Sequence, residues 1–259
     1  MGGTAGGSVG PLRRVDVLGV RISAIDLPLA KRTIAGWIDR REHHYVCVTG
    51  VHGVMESQRD PELLRIHNAS GLTTPDGMPM VWAGRRAGAT WMGRVYGPDL
   101  MLLLAETAAA EGWRFYFYGG GPGTADKLAE RLTARYPGLQ VVGTHSPPFR
   151  PATDAEDAAI VEEIDRARPD IVWVGLSTPK QERWMAAHVG RLEAPVLIGV
   201  GAAFDIHAGT LPQAPRWMQG HGLEWLYRLI REPRRLWRRY VSIIPRFVWG
   251  IIRRPPRLV

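Results

Sequence analysis

One cysteine stands among 259 residues, so the chain cannot close a disulfide on itself. Cys47 lies in the apolar run Tyr45-Val46-Cys47-Val48, where it reads as a small buried hydrophobe and fits a reducing compartment. Long apolar runs are missing too. The longest candidate, 240–252, is interrupted by Pro245 and Arg246 and is too short to span a bilayer. Residues 1–12 are glycine-rich without an apolar centre, which predicts a disordered lead and no signal peptide. There is no cysteine pair, no His-Glu-x-x-His and no Asp-x-Asp, so no metal site is expected. His43-His44 reads as a solvated pair in a loop. No Gly-x-Ser-x-Gly elbow is present, which removes the serine-hydrolase signature.

Acidic residues are scarce in one region only. From 221 to 259 there are ten arginines against two acids, Glu224 and Glu232, so this stretch carries the whole net charge of +8. The other 220 residues hold 23 basic and 23 acidic side chains and sum to zero. A neutral body with a basic tail calls for an anionic partner: phospholipid, nucleic acid or a diphosphate. The tail has apolar residues at helical spacing, Leu223, Leu226, Leu229 and Ile230, then Leu236, Tyr240, Val241 and Ile244. Trp225, Trp237 and Trp249 are spread along it. This is the composition of an interfacial amphipathic helix set, and membrane or substrate contact is favoured over a merely solvated face.

The composition, 45% hydrophobic and 22% charged, is that of a globular chain. Strand-like runs at 45–49, 72–74, 113–118, 139–144, 170–175 and 195–200 alternate with helical patterns at 27–40, 55–68, 78–86, 98–111, 124–136, 154–167 and 179–188. This predicts an α/β fold: a Rossmann-like, mostly parallel sheet with helices on both faces. Residues 15–25 predict a small N-terminal strand pair around Gly19, and 221–259 a basic amphipathic helical appendage to a 13–220 core. Thr49-Gly50-Val51-His52-Gly53 reads as a flexible turn.

Four strand-to-helix turns could carry chemistry. In Thr73-Thr74-Pro75-Asp76-Gly77-Met78-Pro79, Asp76 stands where open α/β sheets keep their ligands, although on local sequence alone an N-cap role is the favoured reading. Gly119, Gly120, Gly121 and Gly123 form a turn whose N–H groups could hold phosphate. It lacks the lysine of a P-loop and the spacing of a dinucleotide fingerprint, which disfavours NAD. After Gly175, Ser177 or Thr178 could cap a helix with Pro179 in its first turn, and the Gln181 amide would point toward the crevice. After Gly201, Asp205 could accept from ribose hydroxyls or only cap a helix.

Six ordered blocks together resemble the WecG/TagA/CpsF family of bacterial glycosyltransferases over 15–247. They are Thr74 to Pro79, Tyr118-Gly119-Gly120 with Pro122-Gly123, and Val174-Gly175-Leu176 with Pro179 to Glu182. The others are Gly199 to Asp205, Ala214 to Met218, and Gly222 to Arg228. The resemblance implies an inverting, metal-independent transfer with no cofactor. The sugar, N-acetylmannosamine or a related hexose, would move from a UDP-sugar to a polyprenyl-diphosphate-linked saccharide in cell-surface polysaccharide synthesis. It implies that Asp76 is the catalytic base, that Thr49 lies near the donor sugar, that Gln181 is an active-site residue, and that Arg228, Arg235 and Arg238 close over the diphosphate. The chain departs from the family at Val51, where an Asn is common. The expected partners are the two substrates and an anionic membrane surface through 221–259, with a homo-oligomer left open and no nucleic acid. The expected place is the cytoplasmic face of the bacterial cell membrane. The rival reading is a non-catalytic nucleotide-binding protein whose tail stacks on nucleic acid.

Overall fold

A computed structural model describes residues 12–259, apart from the side chains of Arg235 and Arg239. The expected disordered lead falls, except for Leu12, outside the described residues. The chain opens with the predicted hairpin, β1 (Arg14–Val17) and β2 (Val20–Ser23), turned by Leu18 and Gly19 at φ 54° and 89°. The main sheet follows with β3 (His44–Thr49), β4 (Leu72–Pro75), β5 (Arg114–Gly119), β6 (Gln140–His145), β7 (Ile171–Gly175) and β8 (Val196–Gly199). These six strands pair in the order β4-β3-β8-β7-β5-β6, every pair parallel. A strand absent from the sequence reading, β9 (Arg257–Leu258), adds antiparallel to β1 and makes the small sheet three-stranded.

The helices up to the basic tail are α1 (Leu27–Asp39), α2 (Val51–Ser57), α3 (Pro61–Ala69), α4 (Met78–Arg86), α5 (Gly97–Glu111), α6 (Thr124–Arg135), α7 (Asp154–Ala167), α8 (Lys180–His188), α9 (Ala203–His207) and α10 (Arg216–Gly220). The tail forms α11 (Glu224–Arg231) and α12 (Pro233–Arg253). Their ends follow local chemistry. Asp26 and Asp60 accept from Leu29 and Leu63 N–H as N-caps with proline in the first turn, and Thr153 with Glu156 forms a capping box.

Side-chain alternation along the strands separates two cores. Val46, Phe115, Phe117, Trp173, Val196 and Ile198 face α1, α5, α6 and α9. Tyr45, Cys47, Tyr116, Val172, Val174 and Leu197 face α7 and α8 on the other side. Phe115, Phe117 and Trp173 are fully buried and meet edge to face, each such side chain contributing roughly 1.5–3 kcal/mol. A third cluster packs the hairpin on α2, α4 and Phe247 of α12.

Three local expectations are corrected. Thr49–Gly53 is no flexible turn, since α2 begins at Val51. Gly53 is buried there, and a Cβ on it would stand 2.9 Å from Thr49 Cγ2. His44 opens β3 and lies 4.2 Å from the Trp37 ring, with its pKa lowered chiefly by burial. Neither Ser177 nor Thr178 caps α8. The helix starts after Pro179, itself outside the first turn, and Thr178 Oγ1 donates instead to Glu182 Oε1 at 2.8 Å. α12 runs through Pro245 without a break.

Candidate active site

β5 and β7 end side by side, and their connections leave toward opposite edges of the sheet. That divergence opens a crevice above the C-terminal ends of the strands. β3 and β4 end on the same edge, bringing Thr49 and Asp76 there, and Asp76 N–H donates to the Thr49 carbonyl at 3.2 Å. The capping role weighed for Asp76 does not occur on α4, whose N-cap is Gly77. Its Oδ1 instead accepts from Gly97 N–H, the first residue of α5, at 3.1 Å. Oδ2 lies 3.7 Å from where a Cβ on Gly50 would stand, and it accepts no hydrogen bond among the described residues. One carboxylate oxygen is pinned, and the other has no hydrogen bond among the described residues.

The residue keeps a partly open surface while its carboxyl is closely surrounded. Loss of hydration there, and then the negative charge of Glu224, raise its pKa to about 6. Arg94, the Gly97 hydrogen bond and Arg228 pull the other way.

Thr49 stands next to Asp76, and its hydroxyl is buried and donates to the Cys47 carbonyl at 3.3 Å. Gln181 is buried at the start of α8, and its amide is already engaged at both ends. Nε2 donates to Glu182 Oε1 at 3.0 Å, and Oε1 accepts from Gly201 N–H at 3.0 Å. It thus ties two loops of the crevice rather than projecting freely into it. Of the glycines, Gly120 N–H is committed to the Gly175 carbonyl at 2.9 Å. Gly121 and Gly123 sit at the start of α6, with Gly123 as its N-cap at φ 72°. Gly119 and Gly175 permit a close approach: a Cβ on Gly119 would fall 2.6 Å from Gly175 C. Asp205 is inside α9, not capping it, and Thr210 Oγ1 donates to its Oδ1 at 3.4 Å.

Among the tail arginines, Arg228 comes close enough to act on the charge of Asp76. Arg238 lies 5.4 Å from the Trp237 ring, and the Arg235 side chain is outside the described residues. Among the described residues no three His, Cys, Asp or Glu side chains converge to hold a metal ion.

The sequence reading missed a group directly behind Asp76. Arg94 Nε donates to the Asp76 carbonyl at 2.6 Å, Nη1 to Gln219 Oε1 at 3.2 Å and Nη2 to Glu224 Oε2 at 2.5 Å. Tyr96 lies under that guanidinium, 3.9 Å from ring centre to Cζ, and its hydroxyl donates to Glu224 Oε1 at 3.1 Å. A signal for it existed: Glu224 is one of two acids among ten arginines in the tail. Beside this group opens a cleft of about 630 Å³, walled by Arg94, Asp99, Arg135, His207, Arg216 and Gln219.

Comparison with known proteins identifies relatives of this chain. The N-acetylglucosaminyldiphosphoundecaprenol N-acetyl-beta-D-mannosaminyltransferase of Bacillus subtilis is 26% identical over 236 residues, 88% of this chain and 90% of the relative. The protein of the same name from Bacillus spizizenii is 25% identical over 217 residues, 84% and 82% of the two chains. That from Staphylococcus aureus is 28% identical over 188 residues, 73% and 71%. The profile of the glycosyl transferase WecG/TagA/CpsF family matches residues 15–258. With that match spanning both sheets and the basic tail, the chain belongs to the WecG/TagA/CpsF family and is a glycosyltransferase.

Proposed function

We propose that this enzyme moves N-acetylmannosamine, or a closely related sugar, from a UDP-sugar to a polyprenyl-diphosphate-linked N-acetylglucosamine, with inversion and without a metal. The relatives' shared name supplies the acceptor and the sugar. The observation that carries the chemistry is the Asp76 carboxylate, pinned through Oδ1 and without a hydrogen bond at Oδ2 among the described residues, with a pKa raised to about 6. A general base needs that reach and a pKa near the working pH.

The acceptor hydroxyl oxygen attacks the anomeric carbon from the face opposite UDP, and its proton passes to Asp76 Oδ2. The bond from that carbon to the UDP oxygen breaks, and UDP leaves with the electron pair. The transition state resembles an oxocarbenium ion, and negative charge grows on the departing diphosphate. Fixed positive groups must meet that charge. Arg228 is placed for this, with Arg238 and Arg235 as further candidates along the tail. Arginine suits the task because it stays charged and binds phosphate through two donors. Gly121, Gly123, Gly201 and Asp205 line the donor side in this reading. Gln181 and Thr49 hold the loops on which the donor rests.

Among the described residues no helix is long and apolar enough to cross a membrane. A lipid-linked acceptor therefore has to be met at the membrane surface. Exposed Trp225, Ile230, Trp237, Val241 and Trp249, interleaved with arginines, form the proposed contact, at the cytoplasmic face. No observation favours the nucleic-acid reading.

The test is a panel of UDP-sugars incubated with a synthetic polyprenyl-diphosphate N-acetylglucosamine, read as a mass shift, with and without chelator. Transfer from UDP-N-acetylmannosamine that survives chelator is expected, and Asp76→Ala removes it while calorimetry still detects donor binding. Turnover abolished by chelator, or donor binding lost in a folded Asp76→Ala protein, overturns the scheme.

A further inference from the structure

The tail touches the body at several places, and one of them reaches the base itself. Glu224 opens α11, and its carboxylate accepts from Arg94 at 2.5 Å and from the Tyr96 hydroxyl at 3.1 Å, across some 130 residues of chain. The two charged side chains are only 15% and 20% exposed, so this is a sheltered pair rather than a surface one. The same guanidinium donates to the Asp76 carbonyl and to Gln219, whose Nε2 donates to the Ala214 carbonyl at 2.7 Å. Next to it Gly222 seats against α4: a Cβ there would stand 2.8 Å from the Trp82 ring and 3.3 Å from Met78 Cβ. One guanidinium therefore joins the main chain of the base to the first turn of the tail.

Helix geometry extends the consequence. Residues four apart share a face, so Glu224 and Arg228 point the same way from α11. Where Glu224 docks decides where Arg228 goes. We propose that Glu224 is a positioning residue for transfer: by holding Arg94 and Tyr96 it fastens the tail to the wall behind Asp76 and delivers Arg228 to the crevice. The groups that face Asp76 are then Arg94 and Tyr96 from the segment before α5, and Glu224 and Arg228 from α11. The inference rests on the reading of Asp76 as base, and it adds a residue that never touches substrate.

Two substitutions separate this role from a plain stabilising ion pair. Glu224→Ala should lower kcat by roughly ten- to a hundredfold, with UDP binding changed by no more than about twofold. Combined with Arg94→Ala, it should cost no more than the worse single change, because both remove one linkage. Glu224→Gln keeps the shape but removes a negative charge that raises the base. The acid limb of its kcat/KM profile should move to lower pH, a shift that a stabilising role alone would not produce. Tyr96→Phe, which deletes one hydroxyl, gives a milder loss of kcat if Glu224→Ala fails to fold. Limited trypsin digestion needs no substrate, and it should cut within α11 sooner in Glu224→Ala than in the unaltered protein. Wild-type kcat and an unmoved acid limb in Glu224→Gln, with unchanged digestion of Glu224→Ala, overturn the proposal. If the unaltered protein transfers no sugar, the functional reading fails, and digestion still reports on the linkage.

Discussion

Asp76 carries a charge that its surroundings resist. Its folded pKa of about 6 lies above the ordinary 3.8, chiefly because the carboxyl has lost water. The sign follows from that direction. Its contribution to stability is fully present below about pH 3.8 and is lost as pH rises through about 6. At neutral pH the ionised carboxylate therefore destabilises the fold, on the order of 1–3 kcal/mol. Asp76→Asn keeps an oxygen for Gly97 N–H and cannot ionise. It should melt several degrees higher at pH 7.5, equal the unaltered protein near pH 4, and transfer no sugar. Differential scanning fluorimetry across pH checks this, and an equal melting point at pH 7.5 would contradict it. In the active protein, kcat/KM should fall below about pH 6 as the base is protonated. The place of Asp76, between a strand and a helix, was legible in the sequence because its turn is a local pattern. Arg94, Tyr96 and Glu224 were not, because their meeting joins segments some 130 residues apart.

The strand-to-helix turns show what a glycine pattern conceals. Gly119-Gly120-Gly121 with Gly123 reads as a phosphate cradle, and its place after β5 was legible. What the pattern hides is that Gly119 serves the sheet first. Its φ of 128° and the 2.6 Å approach to Gly175 leave no room for a side chain. Gly119→Ala should destabilise the fold by roughly 2 kcal/mol or more, read by urea denaturation. An unaltered midpoint would return Gly119 to the list of purely ligand-facing residues. α4, α7 and the main-sheet strands lie close to where the sequence puts them, since their periodicity and caps are local. The five-residue helices α9 and α10 and the two-residue β9 were not legible. Elements so short carry no period, and β9 exists only because β1 offers it an edge.

Over the whole molecule, charge separation was the plainest message of the sequence, and its geometry was the part left unread. The tail is held at its start by Gly222 and Glu224, and at its end by Phe247, Gly250 against Leu18, and β9 on β1. It is a strap fastened at both ends, and its middle displays Trp237 and Val241 among arginines. On the proposed membrane reading, each arginine near an anionic surface adds about 1 kcal/mol, and salt weakens the sum. The protein should float with phosphatidylglycerol vesicles at low salt and be released at high salt. Trp237→Ala with Trp249→Ala should weaken flotation without lowering the melting point. Equal flotation with neutral vesicles would remove the electrostatic part of this account.

On that reading Pro245 limits how deep the strap could go. Having no N–H, it offers nothing to the Val241 carbonyl four residues back, and Val241 is 66% exposed. In water a solvent molecule can take that place, but hydrocarbon would leave the carbonyl bare at several kcal/mol. On the proposed membrane reading the helix would thereby stay at headgroup level, where the pyrophosphate of a lipid carrier would also lie, and the lipid's isoprene chain could stay in the bilayer while its sugar is extended.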